Sequence, residues 1–307
     1  MRSRWRALVF VLAVTLPYPA AGAKVGVTTI TFEKTSVTTG APRSLATTIW
    51  YPAAGRSGTP EALGLRDAKV KRGHFPLIVF SHGSCGRRRE ATYLTMELAR
   101  MGFVVAAPPH VGNTADDPNC FATAAFIDSV ANRVPDVRFV LDAMLALNAD
   151  KSSAFFRRLR TDDVGIAGLS FGGYTTLLGA QMEPRFRTAF ALVPGGTMFL
   201  GRDDITIPTI VIGAEHDQIV TYAESEKAFA RLAGPRMLVK LVGGDHLNAV
   251  DECPAFCGTL TQETAHDLIL HYALPFFRRY LAGRRVPSRL LTRPVDGVEV
   301  TAELTRP

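Results

Sequence analysis

Three side chains in this 307-residue sequence stand where their chemistry could be used together. Ser170 lies in Gly168-Leu169-Ser170-Phe171-Gly172-Gly173, directly after the apolar run Val164-Gly165-Ile166-Ala167. Gly-x-Ser-x-Gly between a strand and a helix is a turn sharp enough to hold a serine up as a nucleophile. The positions two before and two after it, Gly168 and Gly172, must lack bulk so that helix and strand do not collide. The following helix would begin at the serine, where its dipole and free N–H groups favour developing negative charge. Asp217 follows the apolar run Pro208–Gly213, and His246 follows Met237–Val242 on a loop loosened by Gly243 and Gly244. An aspartate can accept from the histidine Nδ1–H, fix its tautomer and stabilise the imidazolium that forms when the histidine takes the serine proton. The chemistry these residue types predict is nucleophilic acyl transfer through a covalent intermediate. Glu215 is the alternative acid. His82, which precedes the serine, is the alternative base.

Such a reaction needs donors for an oxyanion. The run Phe75-Pro76-Leu77-Ile78-Val79-Phe80 ends in Ser81-His82-Gly83-Ser84, where the glycine allows the backbone to turn back on itself. The backbone N–H groups of Ser84 and Phe171 are the expected donors. Arg87-Arg88-Arg89 follows, either a solvated basic corner or a site that meets an anion. His110, Phe121 and Phe126 are candidate pocket residues, and the apolar stretch Met198-Phe199-Leu200 is either an acyl-pocket wall or packing. His266 and His271 read as surface or packing groups on the last helix.

The elements that must position these residues alternate between strand and helix. Val25–Phe32 and Ser44–Tyr51 alternate in the manner of antiparallel strands. Residues 52–75, punctuated by Pro52, Gly55, Gly58, Pro60 and Gly64, read as a loop. Short, continuously apolar runs at Phe75–Phe80, Phe103–Ala107, Phe190–Val193, Pro208–Gly213 and Met237–Val242 read as strands buried on both faces. Helices are expected over Glu90–Met101, from Pro135 through Val137, Val140, Leu141, Met144 and Leu145, after Ser170, and from about Thr261. Pro275 should kink or restart the last of these. Val295–Leu304 is a candidate edge strand. The class is α/β with a mainly parallel sheet.

Residues 1–23 read as an export signal: Arg2, Arg4 and Arg6, then an apolar core from Ala7 to Leu16, Pro17, and Ala21-Gly22-Ala23 as a cleavage site. The expected product is one domain over 24–307, with a polar tail from 283, secreted or periplasmic. No later run is long enough to span a bilayer. Removal of the three leader arginines lowers the formal charge from +7 to +4. No basic stripe interleaved with aromatics points to nucleic acid. Export makes Cys85, Cys120, Cys253 and Cys257 candidate disulfide partners. Cys253 and Cys257 could close a short loop and leave Cys85 with Cys120, yet three pairings are open. A bridge at 253–257 would brace the His246 loop. Neither pair has the spacing of a zinc knuckle.

Four pieces, Phe80-Ser81-His82-Gly83, Gly168–Gly173, Gly213-Ala214-Glu215-His216-Asp217 and Gly244-Asp245-His246, together with Pro275–Leu281, carry a family resemblance. From Phe75 to Leu281 the chain resembles a secreted α/β-hydrolase of the group that holds platelet-activating-factor acetylhydrolase-like and dienelactone-hydrolase-like serine esterases. The resemblance implies the α/β-hydrolase fold, a mainly parallel central sheet flanked by helices. It also implies a Ser170–Asp217–His246 triad acting on short-chain or lipid-type esters with no metal or organic cofactor. Dienelactone hydrolases carry cysteine at the position of Ser170, which argues against that substrate. The acetylhydrolase-like proteins usually place histidine where this chain has Leu169, which leaves the acyl group open. Bacterial polyester hydrolases and cutinases are similar in architecture, so a polymeric ester is an alternative, and a thioesterase or peptidase with the same triad would differ only in its leaving group. A non-catalytic binding protein on the same fold usually loses a triad member or fills the elbow, and this sequence keeps every part.

Overall fold

The computed structural model describes residues 23–304 except 56, 202, 203 and 254–257, and leaves the side chains of Thr123 and Phe199 aside. The expected leader, apart from Ala23, and Cys257 therefore lie outside the described residues.

The chain opens with β1 (Val25–Thr35) and β2 (Pro42–Pro52), paired antiparallel along their full length from Val25↔Pro52 to Thr35↔Pro42. The stretch expected as a loop carries two three-residue strands, β3 (Thr59–Glu61) and β4 (Gly64–Arg66). Strands this short show no periodicity of their own. They pair with each other from Thr59↔Arg66 to Glu61↔Gly64, and β4 joins the sheet through Gly26↔Leu65 and Val27↔Arg66 on β1. Then come β5 (Phe75–Ser81), α1 (Thr92–Arg100), β6 (Val104–Ala107), α2 (Thr123–Ala149), β7 (Leu159–Leu169), α3 (Phe171–Met182), β8 (Phe186–Leu192) and β9 (Thr209–Ala214). The chain closes with α4 (Tyr222–Ala230), β10 (Arg236–Leu241), α5 (Gln262–Tyr280), α6 (Arg289–Thr292) and β11 (Val298–Glu303).

All the strands join one sheet in the order β11-β10-β9-β8-β7-β5-β6-β2-β1-β4-β3. The stretch from β10 to β6 is parallel, and antiparallel pairs close both ends, with β11 on β10 as the expected edge strand. The unbroken apolar runs have the physical cause anticipated for them. On β5, Leu77 and Val79 face one cluster with Val137, Val140, Leu141 and Met144 of α2, while Ile78 and Phe80 face another with Leu94, Leu98, Phe276 and Phe277 of α1 and α5. Both faces of each central strand are covered, so neither can be polar.

Two helices differ from expectation. The one expected to start at Pro135 begins twelve residues earlier, at Thr123, and runs through the proline. Pro135 gives the Ala131 carbonyl no N–H, a loss tolerated because the half that follows buries Val137, Val140, Leu141 and Met144 and half-buries Leu145. Pro275 does not restart the last helix: it sits inside a continuous α5, between the buried Leu274 and Phe276. In both cases packing outweighs the local propensity.

The sheet order places a switch point beside β5. From β5 the chain steps through α1 to β6 on one side, then returns through α2 to β7 on the other. Loops leaving β5 and β7 therefore diverge, and a crevice opens beyond the C-terminal ends of the strands.

Candidate active site

Ser170 stands at that crevice, between β7 and α3. Its backbone has φ +54° and ψ −120°, in the left-handed region that a residue with a Cβ rarely enters. Such a conformation costs about 1–3 kcal/mol and persists only where its surroundings over-determine it. Here they do. Ser170 N donates to Leu192 O at 2.8 Å, and its carbonyl accepts from Gly195 N at 3.2 Å and Tyr174 N at 3.1 Å. The glycine spacing has the expected steric reason. A Cβ on Gly168 would collide with the carbonyls of Gly172 and Ser81, and one on Gly172 would collide with the Ser81 carbonyl.

A short path of contacts runs from the serine to the acid and the histidine. Gly195, bonded to the Ser170 carbonyl, packs so closely on Val220 that a Cβ would stand 2.9 Å from its Cγ2. Val220 N donates to Asp217 Oδ1 at 2.6 Å, and Ile219 N does so at 2.9 Å. The other Asp217 oxygen meets His246 Nδ1 at 2.6 Å, with both residues buried. With two amides on one oxygen, the carboxylate turns its other oxygen to the ring. That holds the proton on Nδ1 and leaves Nε2 as the basic lone pair. Ser170 Oγ and the His246 ring share no hydrogen bond of ordinary geometry. Contacts of this kind are often long before substrate arrives and tighten in the reacting complex.

His246 begins a single 3₁₀ turn, His246–Ala249, closed by a capping box. Asp245 N donates to Asn248 Oδ1 at 2.8 Å, and Leu247 N donates to Asp245 Oδ1 at 3.4 Å. Glu215, the alternative acid, does not reach the histidine ring. It accepts from Gly243 N at 2.9 Å and so braces the start of the histidine loop. His266 stacks on Tyr93 at 3.6 Å and meets the Val250 carbonyl, a packing role as expected.

The loop after β5 is held from several sides. His82, the alternative base, is fully buried: its Nδ1–H donates to Gly83 O at 2.7 Å and its Nε2 accepts from His110 N at 2.9 Å. Both ring nitrogens are occupied. Burial and the charges of its neighbours push its pKa well below the usual histidine value, so it is a strut and not a base. Glu90 accepts from Arg87 N at 2.9 Å and from Gly83 N, and burial raises its carboxyl. The amides of Ser84 and Phe171 donate to no other described residue, which leaves both as available donors. The Phe171 ring lies between Phe126 and Tyr174, at 5.2 and 5.5 Å.

Among the candidate pocket residues, His110 is not one. It is completely buried between Ser81 Oγ, 2.8 Å from Nε2, and Asp136 Oδ2, 3.1 Å from Nδ1. Its position after β6 suggested the site edge, but its ring turns into the molecule to satisfy the Asp136 carboxylate. Phe121 and Met198 stand on the outside, 78% and 79% exposed. In the arginine run, Arg87 pairs with Asp116 at 2.6 Å on the surface, while Arg88 and Arg89 donate to Thr48 Oγ1. Cys85 and Cys120 form a disulfide, which ties the loop after β5 to the long loop after β6. Sequence reasoning missed Arg133, Asn113, Glu90 and Asp136. Arg133, Asn113 and Asp136 are buried and Glu90 is half-buried, each held by contacts 7 to 93 residues away in the chain, for which no local signal exists. A cavity of about 670 Å³ lined by Lys24, Pro52, Phe75 and Arg100 lies at the opposite ends of the strands and shares none of these groups.

A family model described as PET hydrolase-like matches residues 69–255. Cutinase est2 of Thermobifida alba is 32% identical over 152 residues, 50% of this chain and 45% of its own length. The platelet-activating factor acetylhydrolase of Cavia porcellus is 27% identical over 259 residues, 67% of this chain and 58% of its own. The chain thus spans about half the length of the curated relatives it matches. A ferulic acid esterase from Streptomyces cinnamoneus superposes with a TM-score of 0.75 at 22% identity, covering 92% of this chain and 97% of that one, which shows the shared fold.

Proposed function

This chain belongs to the PET hydrolase-like family, and from that premise we propose that it is a serine hydrolase of carboxylic esters working through Ser170, Asp217 and His246. The observation that carries the reading is the His246 Nδ1–Asp217 Oδ2 contact at 2.6 Å. It fixes the histidine tautomer a general base requires, at the same sheet edge as a serine in a strained turn.

His246 Nε2 takes the Ser170 proton as Oγ attacks the ester carbonyl. The carbonyl oxygen becomes an oxyanion held by the N–H groups of Ser84 and Phe171. Collapse of the tetrahedral intermediate breaks the bond to the alcohol, which leaves with the proton from His246. Water then attacks the acyl-enzyme with His246 again as base, releasing the acid and restoring Ser170. The ester enters the first half and one water the second, and the two halves together give one alcohol and one acid.

Exposed apolar side chains on and beside the loops that follow the strands, Phe121, Met198 and Ile219 with Ile127 in the first turns of α2, support short-chain or lipid-type esters as substrates, with a polymeric ester as the extended form of the same chemistry. The residue 1–23 pattern and the Cys85–Cys120 disulfide support export of a single domain over 24–307, since such bridges persist in oxidising compartments. Ser170→Ala should cut turnover of p-nitrophenyl butyrate by about 10³–10⁶. A fluorophosphonate probe should label the natural protein and not the variant. Full activity in the variant, or an unlabelled natural protein, would overturn the assignment in favour of a non-catalytic binding protein. A series of esters of rising acyl length reads the substrate preference.

A further inference from the structure

Arg133, on α2, is 1% exposed, and no carboxylate lies within ion-pairing distance of it among the described residues. Its guanidinium is spent instead on the loop after β5. Nη1 donates to His82 O at 2.7 Å and to Ser81 Oγ at 3.3 Å, while Nη2 donates to Gly83 O at 3.0 Å and to Asn113 Oδ1 at 2.7 Å. The same guanidinium sits 4.3 Å from the centre of the Phe171 ring. One buried cation thus touches both residues' surroundings that supply the expected oxyanion donors.

The Gly83 contact is the informative one. The carbonyl of Gly83 and the N–H of Ser84 belong to one peptide plane, and that peptide is trans. A donor fixed on the carbonyl therefore fixes the direction in which the Ser84 N–H points, on the far side of the plane. A cationic donor also polarises the peptide and makes its N–H a stronger donor. His82 Nδ1–H adds a second hydrogen bond to the same carbonyl. Glu90 and Asp136 act on the Arg133 charge only from beyond ion-pairing distance, and burial of an arginine without a directly paired carboxylate is unfavourable for folding alone. It becomes intelligible where the opposite charge appears during the reaction, on the oxyanion.

We propose that Arg133 is the positioning residue of the oxyanion site, aligning and polarising the Gly83–Ser84 peptide while its guanidinium holds the Phe171 ring. The inference rests on the serine-hydrolase reading above and deepens it. Burial draws the Arg133 pKa down to about 9, so the group stays cationic at neutral pH.

The test uses the full-length protein and two variants. Arg133→Met removes charge and fork; Arg133→Lys keeps the charge and loses the geometry that spans two carbonyls. Each is assayed for kcat and KM on p-nitrophenyl butyrate, for the Ki of a trifluoromethyl ketone that binds as a tetrahedral oxyanion, and for Tm. Arg133→Met should lower kcat about 100-fold, the size seen when one oxyanion donor is lost, with KM within about threefold. The Ki should weaken in parallel, and Arg133→Lys should recover part of both. Unchanged kcat, or a loss of Tm and KM with Ki intact, overturns the inference. Failure of both variants to fold assigns Arg133 to the fold and overturns it as well. If the natural protein neither turns over ester nor takes a fluorophosphonate at Ser170, the serine-hydrolase reading fails instead, and the two failures are distinguishable.

Discussion

At Gly172 the absence of a single carbon decides whether the turn can form. An alanine methyl there would overlap the Ser81 carbonyl and press on His82 O at 2.7 Å, and both are backbone atoms where β5 runs into the loop that carries Ser84. Nothing flexible is available to move. Gly172→Ala should therefore lose about 3 kcal/mol of stability through overpacking, and most of the activity, because any relief shifts Ser170 or Ser81. Gly201→Ala is the matching control, since its methyl would meet only the end of the Gln181 side chain at 3.4 Å. Urea denaturation and ester turnover of the two variants check the argument, and a Gly172→Ala protein as stable and active as its parent would refute it. Gly168, Gly172, Ser170, Asp217 and His246 were legible in the sequence because each is tied to an exit from an apolar run. Arg133 was not. A lone arginine in the middle of a helix reads as a surface cation, and its burial is decided by a loop about 50 residues earlier in the chain.

The central strands and most helices were legible for a similar reason, since burial on both faces writes an unbroken apolar run. The α2 start and the β3–β4 hairpin were not, because neither is specified by its own residues. The N-terminus of α1 makes the same point. The apolar pattern placed this helix within two residues of its observed start, but its N-cap position, Ala91, has no side chain able to cap the first turn. The cap comes from the histidine loop, where Asp251 accepts from Tyr93 N at 3.1 Å and from Thr92 Oγ1 at 2.8 Å. Asp251 N in turn donates to Glu90 O at 2.8 Å, and the Glu90 carboxylate holds Gly83 N and Arg87 N. One short relay therefore joins the loop that carries His246 to the loop that carries Ser84. Asp251→Ala removes the helix cap and should cost about 1 kcal/mol. Its larger effect falls on catalysis: kcat should drop about tenfold as the two loops lose their common register. Calorimetry and steady-state kinetics separate the effects. A fall in stability with kcat unchanged would mean that Asp251 caps α1 and nothing more.

Beneath the sheet edge, the buried polar groups form one cluster whose charge state ties stability to pH. His110 faces Ser81, Asp136 and His82, with Arg133 and Arg43 near by, and Asp136 also binds Arg43 at 2.7 Å and Lys34 at 3.0 Å. Burial first, and the Arg133 charge second, bring the His110 pKa down from 6.5 to about 4 against the pull of Asp136. His82 is shifted in the same direction, also chiefly by burial. Folded His110 therefore stays neutral where the unfolded chain takes up a proton. Its contribution is complete above the unfolded value near 6.5 and is lost as pH falls toward about 4, an amount of about 3 kcal/mol. Asp136 acts below that window. Burial alone would raise its carboxyl, but the hydrogen bonds and charges of His110 and Arg43 bring it to about 2, so its contribution is lost only between about 4 and 2. The unfolding free energy in urea should accordingly fall steeply between pH 6.5 and 4.5, with protons taken up on unfolding. Net positive charge pushes the same way in acid, so the decisive comparison is His110→Gln, which keeps a donor and an acceptor and cannot titrate. Its pH dependence should be shallower by about half that amount or more. Equal slopes for the parent and the variant would remove His110 from the acid lability of the fold.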